Sequence, residues 1–118
     1  RSYRAGKMVS KGIRSARTAL ERGDIAEFCD VLHRTIQQYL GDKFNLPAKG
    51  ISADVAETLK HRGVPFETLD MIERFFQECD IIRFAPLSVD KSRATELLRL
   101  AEQLVGNIEG LRNRGDWV

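Results

Sequence analysis

Apolar residues recur every three or four positions along almost the whole chain. Nowhere do they alternate with period two for long enough to make a strand. A helix returns to the same face after about 3.6 residues and a strand after two. The pattern therefore predicts an all-α fold, a compact bundle of four to five helices. A shift of about 34 residues, one common helical repeat, finds no second copy of the run Gly23-Asp24-Ile25-Ala26-Glu27-Phe28, so the chain is not a repeat array.

The first helix is expected over residues 3–22. Ala5, Met8, Val9, Ala16, Ala19 and Leu20 gather on one side of it, and Gly23 stops it. Gly12 weakens its middle. Asp24 and Glu27 read as a capping box for the second helix. Ile25, Phe28, Cys29, Leu32, Ile36, Tyr39 and Leu40 follow on its inner face, with Gly41 as its end. Residues 41–51 read as a loop in which Phe44, Leu46 and Ile51 tuck inward.

Ser52 is expected to cap a short third helix that runs to about residue 62, with Gly63 as its stop. Pro65 opens a fourth, with Leu69, Ile72, Phe75 or Phe76, and Cys79 inward. Residues 80–86 are expected to leave that helix, and Pro86 to hold residue 85 extended. The fifth runs from about Ser88 or Asp90 to Asn113. Its stripe is Ala94, Leu97, Leu98, Ala101, Leu104, Val105, Ile108 and Leu111, with Gly106 and Gly110 read as points of close approach.

Charge is unevenly spread. Residues 1–22 hold Arg1, Arg4, Lys7, Lys11, Arg14, Arg17 and Arg22 against Glu21 alone, while the whole 118-residue chain carries only +2. A basic end on an acidic body points to an anionic neighbour for that end. Arg4, Lys7, Lys11 and Arg14 fall within about 80° of one another on a helical projection. That face reads either as a solvated lysine/arginine face or as a helix lying at or rising from an anionic membrane surface, where each base is worth ~1 kcal/mol. No run of 18 apolar residues is present, so no span is expected in the chain itself. No signal peptide is apparent, and a start at Arg1 rather than Met suggests a piece of a longer protein.

Little reactive chemistry is legible. Two cysteines make no disulfide framework and suit a reducing compartment. Both fall on apolar faces and read as buried small hydrophobes, a redox pair being conceivable if their helices touch. His33 and His61 read as surface histidines without metal-ligand spacing. Asp70, Glu73, Glu78 and Asp80 read as a solvated face. The expectation is therefore no enzyme, no catalytic residues, no cofactor and no metal. Residues 52–79 have the outline of a helix-turn-helix. The would-be recognition helix, however, carries Glu67, Asp70, Glu73, Glu78 and Asp80 against Arg74, the wrong sign for a polyanion. No nucleic-acid partner is expected.

The run FCDVLHRTIQQYLGDKFNLPAKGISADVAETLKHRGV, followed by LDMIERFFQECDIIRFAP, resembles the C-terminal cytoplasmic region of the BatD family of oxygen-tolerance, aerotolerance-related exported proteins. The matching features are Tyr39-Leu40, the Asp42-Lys43 pair, Pro47, Ser52, Cys79-Asp80 and the closing Arg83-Phe84-Ala85-Pro86. The likeness covers about half the chain. It implies a tail anchored through Arg1 to a membrane span, at the cytoplasmic face of a bacterial inner membrane. It also implies the company of other Bat proteins of von Willebrand type and of a MoxR-type ATPase. It supplies no catalytic residue. Structural roles are expected for the shared residues: Asp42 and Lys43 bonding loop backbone, Asp80 pairing with Arg83 or capping the end of the fourth helix's neighbour, and Phe84 and Pro86 pinning the link into the last helix.

Taken together, residues 1–22 read as a basic membrane-proximal helix and residues 23–118 as a helical cytoplasmic body, one domain overall. The expected function is non-enzymatic scaffolding or protein interaction. The alternative is a soluble adaptor similar to a tetratricopeptide-like helix pair, suggested by Ala19-Leu20-Glu21-Arg22-Gly23-Asp24.

Overall fold

The computed structural model describes residues 2–114, with side chains described for 5–111. Five helices follow one another: α1 Ser2–Glu21, α2 Ile25–Phe44, α3 Val55–Lys60, α4 Phe66–Phe84 and α5 Lys91–Arg114, with a 3₁₀ turn at Pro86–Ser88. No strand occurs among the described residues, and the all-α expectation holds.

The α1–α2 hairpin is set by two adjacent residues. Gly23 takes φ 80 and its N–H donates to Leu20, while the Asp24 N–H donates to Ala19, which closes α1 in a Schellman motif. Asp24 then caps α2, its carboxylate accepting from the Glu27 N–H at 3.1 Å. The seam between the two helices is narrow because α1 presents Ala5, Val9, Ile13, Ala16 and Ala19 to it. Gly12 faces Thr35 across it, where a Cβ would stand 2.3 Å from Thr35 Oγ1. Ile13, which the expected stripe left out, is buried at one edge of it, while Met8 at the other edge is 50% exposed. The stripe that touches α2 is narrower than a full apolar face, and Met8 falls beyond its edge.

α2 does not end at Gly41 but continues to Phe44, and Asn45 takes the left-handed position at φ 57. Gly41 is helical and buried, because the returning chain passes directly over it. A Cβ there would meet the Leu46 carbonyl at 2.8 Å. Asp42 and Lys43 therefore belong to the last turn of α2 rather than to a loop. α3 is shorter than expected. Ser52 gives its carbonyl to Val55 N–H, and Ala53 and Asp54 do the same for Ala56 and Glu57, so a tight 3₁₀-like entry precedes the helix.

Pro65, at φ −60 and ψ 150, stands at the start of α4. Both Phe75 and Phe76 are buried on that helix, edge to face at 5.2 Å. α4 is also longer than expected: residues 80–84 stay helical, and the chain leaves the helix at Ala85, φ −144. Pro86 disfavours the helical region for its predecessor, so the break falls one residue before it. Asp90 caps α5 by accepting from Arg93 N–H at 2.9 Å. The α5 stripe is buried except Val105, which is half-buried, and Gly106 has no atom within 4 Å of a built Cβ, so no close approach occurs there.

α5 runs antiparallel to α4. Glu78 meets Arg93 at one end, and the buried Thr68 hydroxyl donates to Asn107 at the other. The bundle measures 40 × 25 × 23 Å. The start of α1 and the ends of α2 and α5 share one end of it. The Gly23 turn, Phe84 and the 3₁₀ turn share the other.

Candidate interaction surfaces

The basic face of α1 is solvent-facing. Lys7, Lys11 and Arg14 are exposed, and the Arg4 side chain lies outside the described residues. Lys11 and Arg14 have no acidic partner among the described residues, whereas Arg17, towards the bundle, pairs with Glu102 of α5. Beside this face a shallow groove of about 680 Å³ runs between α1 and α2, lined in part by Met8, Lys11, Val31, Arg34 and Lys49. Arg34 and Lys49 extend the positive charge across to α2 and the following loop.

A second surface occupies the opposite end. Phe84 is 91% exposed, Leu87 is fully exposed and Ile81 is half exposed. Phe84, expected to pin the link into α5, points instead to solvent. It occupies the last position of α4, past the reach of α5's apolar stripe. Pro86 is half-buried and lines a small cleft with Ile25, Ala26 and Val89 against the start of α2.

The remaining shared residues are placed as follows. Arg83 pairs with Asp30 of α2 at 3.6 Å rather than with Asp80. Asp80 sits inside a continuous helix, exposed, and terminates nothing. Asp42 accepts from Gln38 at 3.2 Å. Lys43 has a side chain only 1% exposed, and its ammonium lies 2.6 Å from Glu109 of α5 and 5.8 Å from the Tyr39 ring centroid. The Tyr39 hydroxyl donates to the same carboxylate. Burial, then the Glu109 hydrogen bond and charge, hold the Tyr39 phenol far above its ordinary range. This part-buried knot joins α2 to α5. Nothing in the spacing signalled it, because Glu109 is one acid among several on α5.

His33 is not a free surface histidine. It packs edge-on against Phe76 of α4 at 5.4 Å and is half-buried. Burial, then the nearby Arg83 charge, hold its pKa below the ordinary value. His61 is exposed, with Nε2 3.9 Å from Glu57.

Cys29 and Cys79 are both free and buried, and the Cys29 thiol donates to the Cys79 carbonyl at 3.6 Å. Contact with the Cys29 thiol and burial push the Cys79 thiol far up. Among the described residues no three His, Cys, Asp or Glu side chains are grouped to hold a metal ion. No described helix is long and apolar enough to cross a membrane. Compared with family models, curated proteins and solved structures, the chain matches none.

Proposed function

We propose that this chain is a non-enzymatic interaction domain, the cytoplasmic tail of a membrane-anchored BatD-like protein. In this reading the basic face of α1 lies toward anionic headgroups and the far end of the bundle meets a protein partner. The observation that carries it is the exposure of Phe84 and Leu87, large apolar side chains that protrude together from one end. Contiguous exposed apolar groups mark interaction sites more often than ordinary surface. Their position supports the arrangement. α1 has 20 residues and spans ~30 Å, so this end stands about that far along the bundle from the start of α1, where a membrane span would join.

Two experiments test it. The full-length membrane protein, extracted in detergent, should co-purify with its von Willebrand-type neighbour or the MoxR-type ATPase. The double variant Phe84→Ser/Leu87→Ser should lose that partner while melting at the same temperature. Retention of every partner by the double variant sinks the assignment of this end. Separately, the 118-residue chain should sediment with anionic vesicles at low salt. Binding should fall near 0.1 M salt, where the Debye length is about 10 Å. Replacing Arg4, Lys7, Lys11 and Arg14 by glutamine should abolish it. Equal binding to neutral vesicles refutes the headgroup role.

The α1–α2 hairpin, closed by Gly23-Asp24, also favours the second reading, a helical adaptor similar to a tetratricopeptide-like pair. That reading needs no membrane, and the vesicle experiment separates the two.

A further inference from the structure

The chain has two cysteines, and the fold brings them together across the α2–α4 seam from 50 residues apart. Each is fully buried. The Cys29 thiol donates to the Cys79 backbone carbonyl at 3.6 Å, and each thiol acts directly on the other's ionisation. That bond places the Cys29 sulfur against the Cys79 backbone, so the two side chains leave neighbouring points of the seam.

The seam is closed on the solvent side by an ion pair. Arg83 stands one turn beyond Cys79 and Asp30 directly follows Cys29. Their side chains meet at 3.6 Å and are 43% and 56% exposed. Such an exposed pair is weak and opens readily. The groups facing the thiols are therefore Arg83, Asp30 and Asp80, with His33 and Phe76 packed together nearby. The Cys79 thiol favours a thiolate on Cys29 most strongly and Arg83 adds to this, while burial and the two aspartates oppose it. The second proton is then held tightly on Cys79 by the same contact and by burial. The two thiols titrate as a pair, with the Cys29 thiol lowered and the Cys79 thiol raised.

We propose that Cys29 and Cys79 form an intramolecular disulfide site, closed by a small hydroperoxide that enters the α2–α4 seam when the Arg83–Asp30 pair opens. The Cys29 thiolate attacks the O–O bond, takes one oxygen as a sulfenic acid, and the other leaves as water after taking a proton. The Cys79 sulfur then attacks the Cys29 sulfur. The S–S bond forms, the S–O bond breaks, and the departing hydroxide takes the Cys79 proton as a second water. Two thiols and one hydrogen peroxide become one disulfide and two waters. Each sulfur gives up one electron and the peroxide bond takes two.

The bond ties α2 to α4, and with it the end of α4 that carries Phe84. Restricting a loop of this length in the unfolded chain raises the melting temperature by roughly 10 °C.

The test treats the folded 118-residue chain with hydrogen peroxide, then denatures and alkylates it. The monomer should lose the mass of two hydrogens, offer no thiol to the alkylating reagent, and yield a linked Cys29–Cys79 peptide. It should melt higher, and dithiothreitol should reverse every change. Cys79→Ser should show no melting shift and should leave a Cys29 sulfenic acid that a dione reagent traps. Asp30→Asn removes the closing pair and one opposing charge, so it should oxidise several-fold faster without unfolding. Two alkylatable thiols after treatment, oxygen adducts without a link, or disulfides only between chains overturn the proposal. An unchanged or slower rate in Asp30→Asn overturns the entry route.

Discussion

Replacing Gly12 by alanine should destabilise this protein, although the same change in an open helix stabilises. An added Cβ would stand 2.3 Å from Thr35 Oγ1, 2.5 Å from its Cγ2 and 2.9 Å from its Cβ. Rotating the threonine removes the first two clashes and gives up the 2.7 Å bond from its hydroxyl to the Val31 carbonyl. Rotation cannot move the third atom, so α1 and α2 must separate by about half an ångström along a seam built for contact. Overpacking of this kind costs ~1–3 kcal/mol. Alanine regains ~1 kcal/mol of helix propensity over glycine. With about 1 kcal/mol for the surrendered hydrogen bond, the net expectation is a loss of about 1–3 kcal/mol, or roughly 5–10 °C in melting temperature. Gly106→Ala is the control. It places the same methyl group where nothing lies within 4 Å, so it should gain about 0.5–1 kcal/mol. Urea unfolding followed by far-UV circular dichroism measures both. Thr35→Ala combined with Gly12→Ala should destabilise by less than the two single changes together. A Gly12→Ala protein as stable as the parent, or strictly additive behaviour in the double variant, would refute the close-approach argument.

Further outcomes follow from the ion pairs, the α2 cap and His33. Glu109→Gln leaves the almost fully buried Lys43 ammonium without its carboxylate and should lower stability by about 2 kcal/mol in urea titrations. Glu102→Gln, whose carboxylate is 43% exposed and faces Arg17, should change it by under about 1 kcal/mol. Asp24→Ala removes the α2 cap and should cost about 1 kcal/mol, with Asp24→Asn largely rescuing it. His33 has a folded-state pKa below its unfolded value near 6.5, so the unfolded chain binds the extra proton first. Stability should therefore hold above that pH and fall as pH drops through it toward the folded value. A His33→Gln variant should lack that slope, and an identical slope in the variant would show that other groups cause it.

Periodicity alone was enough for the α-helical class, because burying one stripe per helix leaves its spacing in the sequence. Local chemistry was enough for the hairpin, since Gly23 and Asp24 stop one helix and start the next without help from the rest of the fold. Helix ends away from such signals were not legible. Gly41 reads as a stop, yet it serves an approach by Leu46 and Ala48 that only the folded chain creates. Residues 80–84 stay helical because Ile82 is still buried there, a fact of packing rather than of propensity. Pairings across helices were equally hidden. Lys43 and Tyr39 each with Glu109, Arg83 with Asp30, and Cys29 with Cys79 join residues 50 or more apart, and no local spacing encodes which face meets which. The basic face of α1 could be read from the sequence because a helix's own geometry aligns its charges. The exposed Phe84 and Leu87 could not, since hydrophobicity predicts burial and only the tertiary arrangement decides which apolar side chains are left without a neighbour to cover them.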